Sequence, residues 1–408
     1  MKIAIIGAGP GDLALVSPYA QEKIRQADCV LTTERLFRVF SPLNDASHCV
    51  RMSEIANRIA AEAALEAQVS NRNRSGERLL AIIVSGDVGF YSLSNSMPPA
   101  LPVHSVEWVN GFSSLQVLAA LMQIPYDQVW TISVHGRKTS VVPHVCYHPA
   151  VFILTGGQVR AQDVLVQLVE AGLGNVSVAV GENLSMSNQR LLQGTARELA
   201  EVAFDDLSVM LVRNEAYVPA WKTVLDADLE RGPVPMTKQE VRDVCLARLQ
   251  IQPTDIVFDI GAGTGAVAVA MARRASAGEV LAIEKNPEAL KLLEKNRTRL
   301  GAYNLRVIPG MAPAAMAGLP PPDKVFIGGS SGQIAPILDQ VLSQNPKARL
   351  VVTAITIETL QEAIAFFKTH HLNPDIACLN VAKAETSGSY HLMKAQNPIY
   401  VISGEVTP

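Results

Sequence analysis

The sequence predicts an α/β protein made of two folded units. Short β-branched runs alternate with helical patterns along nearly all of its 408 residues, which is typical of largely parallel sheets covered by helices. A chain of this length is expected to hold two or three domains. Polar glycine turns follow several of the predicted strands, at the edge where α/β sheets bind ligands.

A connector separates the two alternating regions. Residues 214–235 carry Pro219, Pro233 and Pro235 with Gly232 and break the pattern, as a linker between domains does. We therefore predict domains at residues 1–213 and 236–408. The second domain repeats strand, glycine turn, helix and strand, and this order predicts a doubly wound sheet.

Composition and charge exclude several classes of protein. Apolar residues make up 48% of the chain and charged residues 18%, so the chain is not disordered. The formal net charge is −3, with no run of like charges, and we expect neither a nucleic acid nor a membrane as partner. Five dispersed cysteines and the lack of a signal-peptide core predict reduced thiols in a cytoplasmic protein.

The glycine turn of the second domain, DIGAGTG, runs from Asp259 to Gly265 between an apolar strand and an Ala/Val-rich helix. Glycines allow the backbone to approach a ligand closely. Glu284 ends the next strand, where a carboxylate can accept both ribose hydroxyls. Asp259 suits the ammonium group of S-adenosylmethionine better than a pyrophosphate. The pattern thus favours S-adenosylmethionine over NAD, and a structural turn without ligand is the remaining alternative.

DIGAGTG, EKN at 284–286 and PMTKQEVR at 235–242 together resemble the class I methyltransferases. The half from about residue 233 to the end is similar to the C15-methyltransferase and decarboxylase family of cobalamin biosynthesis. Relatives often carry Gly-Asp where this chain has Gly310-Met311, so we expect backbone and apolar contacts to the adenine. The cofactor contacts predicted here, from chemistry and resemblance together, are Thr237, Asp259, Gly261, Ala262, Gly263, Thr264, Gly265, Glu284 and Met311.

The first domain begins with GAGPGD at 7–12, and a dinucleotide site with Glu34 as its acid is one interpretation. Pro10 argues against it, because proline lacks the amide hydrogen that a phosphate needs. The first helix is also predicted to start only near Ser17, too far back to aim at a phosphate. Similar glycine turns follow later strands, namely SGDVGFYS at 85–92, NGFSS at 110–114 and GENLS at 181–185.

These turns resemble the tetrapyrrole methylase family, and GENLS followed by RLLQGT resembles its cobalt-precorrin C5-methyltransferase branch, over about residues 1–213. The resemblance implies an α/β unit of two sub-domains. It implies S-adenosylmethionine contacts at Pro10, Asp87, Phe90, Ser113 and Ser114. It also implies a substrate border at Gly9, Gly11 and Asp12. We add Arg137 and Lys138 as candidates for binding substrate carboxylates, since arginine pairs with carboxylates in a bidentate manner.

Three histidines, His135, His144 and His148, lie near Cys146 in the first domain. Their spacing matches no structural zinc pattern. We predict loop and core histidines and no metal site.

Together the resemblances imply a tetrapyrrole methylase-like unit followed by a doubly wound, Rossmann-like class I methyltransferase domain. They imply methylation of a precorrin, a reduced tetrapyrrole, at the bridging carbons C5 and C15, with loss of carbon dioxide from the C12 acetate. We also expect a homo-oligomer. Two alternatives stay open: an RNA methyltransferase, disfavoured by the lack of a basic patch, and a tetrapyrrole- or nucleotide-binding sensor with an inactive turn.

Overall fold

The computed structural model describes residues 1–51, 54–69, 78–92, 105–135 and 139–405, so the predicted Arg137 and Lys138 lie outside the described residues. The chain divides into two compact units. The first unit holds residues 1–138, 152–164 and 177–212, and the second holds 139–151, 165–176 and 213–408. The domain boundaries expected at residues 213 and 235 stay predictions.

The first sheet contains five strands in the order β3-β2-β4-β1-β5, and its strand pairs are parallel. These strands are β1 (Lys2–Gly7), β2 (Cys29–Thr32), β3 (Ser47–Cys49), β4 (Leu79–Val84) and β5 (Ser105–Val109). The helices of this region are α1 (Pro18–Gln26), α2 (Glu34–Phe40), α3 (Ile55–Val69) and α4 (Ser114–Met122).

Strand β1 is buried on both faces, as strands of parallel sheets are. Ala4 and Ile6 pack in the core on one face of the sheet, and Ile3 and Ile5 pack in the core on the other. Helix α1 begins where the sequence predicts, because the Ser17 hydroxyl accepts a hydrogen bond from the Ala20 amide and proline occupies the first helical position.

The second sheet has the order β6-β7-β10-β8-β9. Its strands are β6 (Trp130–Ser133), β7 (Ala150–Leu154), β8 (Ser177–Glu182), β9 (Arg190–Thr195) and β10 (Ser208–Arg213). Its helices are α5 (Val142–Tyr147), α6 (Ala161–Ala171) and α7 (Ala196–Leu199). Strands β8 and β9 are antiparallel, since the short connection between them cannot form a parallel crossover. The two sheets confirm the two predicted sub-domains.

The third sheet and a separate ribbon follow the connector. Their strands are β11 (Ile256–Ile260), β12 (Glu279–Glu284), β13 (Leu305–Pro309), β14 (Lys324–Ile327), β15 (Arg349–Ala354), β16 (Asp375–Leu379), β17 (Ala382–Ser387), β18 (Tyr390–Ala395) and β19 (Ile399–Gly404). The helices are α8 (Gln239–Leu249), α9 (Ala266–Arg274), α10 (Pro287–Arg299), α11 (Ile334–Gln344) and α12 (Ile357–Thr369).

The third sheet has the order β13-β12-β11-β14-β15-β19-β16, and β19 alone runs antiparallel to its two neighbours. This order confirms the predicted doubly wound sheet. The chain winds outward in opposite directions from β11 and β14, and such a switch point opens a crevice at the carboxyl ends of the strands. No helix within the described ranges is long and apolar enough to cross a bilayer.

Three glycines bring together the loops that follow β1, β4 and β5. A Cβ atom on Gly7 would lie 2.7 Å from the amide nitrogen of Gly111 and 2.7 Å from the carbonyl oxygen of Gly86. Gly9 and Gly86 exchange backbone hydrogen bonds of 3.1 and 2.8 Å. The predicted convergence of glycine turns therefore rests on direct contact between main chains.

We expect Gly111→Ala to destabilise the first unit by at least about 1–3 kcal/mol, because its Cβ would clash with two backbone carbonyl groups that cannot move independently. Thermal unfolding measures the change. Gly89→Ala is the matched control, since a Cβ there meets only the Asp87 carboxylate, at 3.3 Å. Equal unfolding temperatures for the two variants would contradict the prediction.

Candidate functional site

A cavity of about 510 Å³ lies at the carboxyl ends of β11, β12 and β14 in the second unit, a size typical of small-molecule sites. Most of the residues predicted for this edge line it: Thr237, Gly261, Ala262, Gly263, Thr264, Glu284 and Met311. Two do not reach its wall. Gly265 lies at the start of α9 as its N-cap residue, and Asp259 is buried within β11.

The amides of the glycine turn are already used inside the chain. Those of Gly261 and Ala262 donate to the carbonyl oxygen of Ile283, at 3.0 and 3.2 Å. The Gly263 amide donates to the Glu284 carboxylate at 2.8 Å, and the Gly265 amide donates to Ala262 at 2.8 Å. A pyrophosphate needs free amides at such a turn, so this turn is poorly suited to a dinucleotide.

Gly261 sets the shape of the turn. Its φ of 73° lies in the region that favours glycine, and a Cβ there would lie 2.8 Å from the amide nitrogen of Gly329. The turn after β11 and the loop after β14 therefore touch backbone to backbone. This close approach forms a cradle without side chains on the floor of the cavity.

The Glu284 carboxylate holds this edge of the sheet together. One oxygen accepts from the Gly263 amide, and the other accepts from the amides of Lys285 and Asn286, all at 2.8 Å. Asn286 in turn caps α10 with its side chain. A carboxylate offers about four acceptor positions, so Glu284 can accept a further hydrogen bond from a ligand hydroxyl in the cavity.

Asp259 lies behind the turn rather than beside the cavity, so its predicted contact with an ammonium group does not match its position. Neither carboxyl oxygen meets a partner with good hydrogen-bond geometry in the described part of the chain. Burial raises the pKa of this carboxyl to about 8, the charge of Glu284 adds to the rise, and the nearby Ala268 amide opposes it.

Two threonines line the cavity of the second unit, and their polar groups differ in whether they have a hydrogen-bond partner. The Thr264 hydroxyl is buried and has no partner within the described ranges, and an orphaned polar atom at a cavity wall suits a bound ligand. The Thr237 carbonyl accepts from Arg242 at 3.0 Å. The fully buried Arg242 also pairs with Asp226 at 3.1 Å, and sequence reasoning did not identify it.

A second cavity of about 510 Å³ lies in the first unit, and the predicted Pro10, Phe90, Ser113 and Ser114 line it. Asp87 does not. Its carboxylate accepts from the amides of Gly89 and Gly111, at 2.9 and 3.2 Å, and so fastens two loops together. Asp87 lines an adjoining cavity of about 730 Å³, which shares Phe90 and Ser113 with this one.

Three residues of the first glycine loop were predicted to border the substrate, namely Gly9, Gly11 and Asp12. None of the three lines either cavity. Asp12 instead accepts from the Ala14 amide at 2.9 Å. Beside this loop lies Arg35, which sequence reasoning missed, and whose guanidinium donates to the carbonyl oxygen of Pro10 at 2.6 Å.

Arg35 lines the cavity of the first unit. Its second contact is the Ser85 hydroxyl, at 2.6 Å, and no ion pair joins it to a carboxylate of the described residues. Desolvation lowers the pKa of the guanidinium. A desolvated cation at a cavity wall can bind a carboxylate or another anion. Its position in the first turn of α2, three residues after the end of β2, is the signal that could have identified it.

The histidines lie in different surroundings. His135 lines the cavity of the first unit. His144 and His148 lie at the end of α5, and burial, with the charge of His148, lowers the pKa of His144 to about 4. No group of three potential ligands in the described ranges could hold a metal ion. Glu34 is exposed and pairs with Arg38 at 2.7 Å.

Comparisons with known proteins agree with the geometry. Residues 231–405 match the family described as a precorrin methyltransferase domain, and residues 2–200 match the tetrapyrrole (corrin/porphyrin) methylases. A cobalt-precorrin-6B C(15)-methyltransferase (decarboxylating) from Salmonella typhimurium is 37% identical over 174 residues, 42% of this chain and 88% of that protein.

Two further relatives extend the comparison. A precorrin-6Y C(5,15)-methyltransferase (decarboxylating) from Sinorhizobium sp is 26% identical over 325 residues, 78% of each protein. The crystal structure of a precorrin-6y C5,15-methyltransferase from Geobacter metallireducens has a TM-score of 0.43 and 34% identity, and the match covers 45% of this chain and 95% of that one.

We expect the wild-type second unit to lose stability relative to Asp259→Asn as the pH rises from about 4 to 8. The raised pKa means that the unfolded chain releases the Asp259 proton at a pH where the fold retains it, so ionisation favours unfolding by up to about 1.4 kcal/mol per pH unit. Hydrogen–deuterium exchange of peptides from β11 measures this difference. A pH-independent difference between the two proteins would contradict the assignment.

Proposed function

We propose, on the premise that the chain belongs to the family of cobalt-precorrin-6B C(15)-methyltransferases (decarboxylating), that it is a precorrin-6Y C5,15-methyltransferase with two active sites. The first unit methylates C5. The second methylates C15 and releases carbon dioxide from the C12 acetate. One observation carries the proposal: each unit has its own cavity at the carboxyl ends of a sheet, lined by glycine turns.

S-adenosylmethionine is the proposed cofactor of both sites. When bound, it supplies an electrophilic methyl group on a sulfonium centre. In the second unit, the cradle at Gly261, the orphaned Thr264 hydroxyl and the remaining acceptor position of Glu284 fit it. In the first unit, Pro10 and Ser113 line the corresponding cavity.

The residues of both sites orient the substrate and exclude water. A bridging carbon of a reduced tetrapyrrole is electron-rich, so methylation depends chiefly on alignment in a dry site. Met236, Met311 and Ile355 contribute apolar surface to the wall of the second cavity. The conjugated ring can accept the electrons that decarboxylation releases, so the chain only needs to hold the acetate in place.

Cationic side chains are available for the substrate carboxylates. Arg35 lies in the wall of the first cavity. Lys285 lies in the wall of the second, where its ammonium donates to the Ser331 hydroxyl at 2.8 Å. Arg137 and Lys138, in the segment after His135, remain proposed partners for the same groups.

We expect full-length variants to separate the two activities. Glu284→Gln replaces an acceptor with an amide that cannot satisfy all three backbone amides, so C15 methylation and carbon dioxide release should fall at least about tenfold while C5 methylation continues. Arg35→Ala should reduce C5 methylation and spare carbon dioxide release. Mass spectrometry of precorrin incubated with labelled S-adenosylmethionine counts the methyl groups.

Glu288→Gln is the matched control for Glu284→Gln, because Glu288 is exposed in the first turn of α10. It should leave both reactions unchanged. Full carbon dioxide release by Glu284→Gln would reject the assignment of decarboxylation to the second unit. Wild-type protein that transfers no label would reject the proposed function itself.

We propose that the β17–β18 ribbon joins two copies of the chain. Tyr390, Leu392 and Met393 are 73%, 59% and 67% exposed, and alternation along β18 places apolar side chains on both faces. Lys383 ties the ribbon to α8 through an ion pair with Glu240 at 2.7 Å, which leaves the apolar side chains of β18 exposed. Glu385 and Lys394, which pair across the ribbon at 3.1 Å, give it mixed charge that suits pairing with an identical ribbon.

We expect the double variant Leu392→Lys, Met393→Lys to have a smaller native mass than the wild type, because like charges would replace the apolar contact. Sedimentation velocity measures the mass. Ser387→Lys, on the neighbouring strand, adds charge without removing apolar surface and serves as control. An unchanged mass in the double variant would contradict a ribbon-mediated oligomer.

A further inference from the structure

His135 projects into the cavity of the first unit with no role in the fold. It lies two residues after the last residue of β6 and is exposed, and its ring makes no hydrogen bond to a described residue. The wall around it is rich in polar groups, which include Arg35, Ser92 and Thr155. A side chain in this position can meet a substrate without breaking an internal contact.

Gly156 fixes where the imidazole lies. A Cβ atom on Gly156 would stand 2.5 Å from Nδ1 of His135 and 3.2 Å from its Cε1. Gly156 has a φ of 131°, which favours glycine, and its amide donates to the Val159 carbonyl at 2.8 Å. The turn after β7 is thus held by its own hydrogen bond, and its missing side chain leaves the space that the ring fills.

His135 is also distinguished by the groups that share its cavity. The ionisable side chains among the described wall residues are Arg35, Tyr91 and His135. A guanidinium keeps its proton at all accessible pH values. The Tyr91 hydroxyl donates to the Thr131 carbonyl at 2.9 Å. Histidine is the side chain that most often acts as a general base, and the described wall contains no carboxylate.

Methylation of a bridging carbon leaves one proton to remove. An sp² bridging carbon bonds two rings and one hydrogen, and a methyl group stands in place of that hydrogen in the product. The new carbon–carbon bond replaces the sulfur–methyl bond, whose electron pair stays with sulfur. The carbon–hydrogen bond then breaks, its electron pair returns to the conjugated ring, and the proton needs an acceptor.

We propose that His135 is this acceptor, the general base of methylation in the first unit. The inference rests on the proposed function, because it assigns a residue to one of the two proposed reactions. The imidazole takes the proton from the methylated carbon and releases it to solvent. Gly156 acts as a positioning residue, since it provides the space in which the ring stands.

The test compares His135→Asn with wild type, using precorrin with hydrogen or deuterium at C5. General bases contribute about 100-fold or more to a rate, so C5 methylation should fall at least about 100-fold while substrate affinity, from an absorbance titration, stays within about twofold. Proton removal should become the slow step, and deuterium at C5 should slow the variant more than the wild type. The rate of the variant should also lose the pH dependence that a general base confers on the wild type.

Two internal controls accompany this test. Carbon dioxide release in the second unit should be unaffected by His135→Asn, and His48→Asn, at an exposed histidine on β3, should leave both reactions unchanged. Normal C5 methylation by His135→Asn overturns the inference and leaves the proposed function intact. A slower variant with the wild-type isotope effect and pH profile also overturns it, because a structural role would explain that result. No C5 methylation by the wild type rejects the proposed function instead.

Discussion

The architecture of the second unit depends on a single carboxylate that binds backbone amides. Glu284 accepts hydrogen bonds from the glycine turn after β11 and from the two residues that lead into α10. The turn, the neighbouring strand end and the helix start are therefore fixed by one group. The amides of Gly261, Ala262, Gly263 and Gly265 are satisfied within the chain. The cavity therefore presents to a ligand a carboxylate oxygen and a hydroxyl rather than a set of free amides for a phosphate.

In the first unit, a different carboxylate binds the backbone amides of the loops around the cavity. Asp87 joins the loops after β4 and β5 through the amides of Gly89 and Gly111, and Gly7 lets β1 end against both loops. Glu284 and Asp87 were both predicted to contact the cofactor, and in each unit this acid also holds the backbone around the cavity in place. The ligand then meets main chain held in place before it arrives, which lowers the ordering cost of binding.

Much of this organisation could be predicted from the sequence. The α/β class and the doubly wound third sheet follow from local periodicity, and the start of α1 follows from the short-range signals of Ser17 and Pro18. Strand β5 is harder to recognise from the sequence, because Glu107 interrupts its apolar residues. That charge pairs with Lys23 at 2.7 Å, as suits an edge strand.

The cavity walls were harder to predict, for physical reasons. Arg35, His135 and Arg242 take their roles from contacts with residues distant in sequence, and no spacing rule reports such contacts. Asp259 comes two residues before the glycines of the turn, but its side chain is buried within β11 and does not line the cavity wall. The motif places the turn beside a cavity, but the burial of each side chain is set by packing that the motif does not report.

The contact among Gly7, Gly86 and Gly111 has a consequence for divergence. A framework of main-chain contacts tolerates replacement of the side chains that project from it, with the exception of Asp87, whose carboxylate also joins two of the loops. Paralogous enzymes with this junction could acquire reactivity toward other ring carbons by exchanging a few wall residues, while the scaffold passes unchanged from ancestor to descendant.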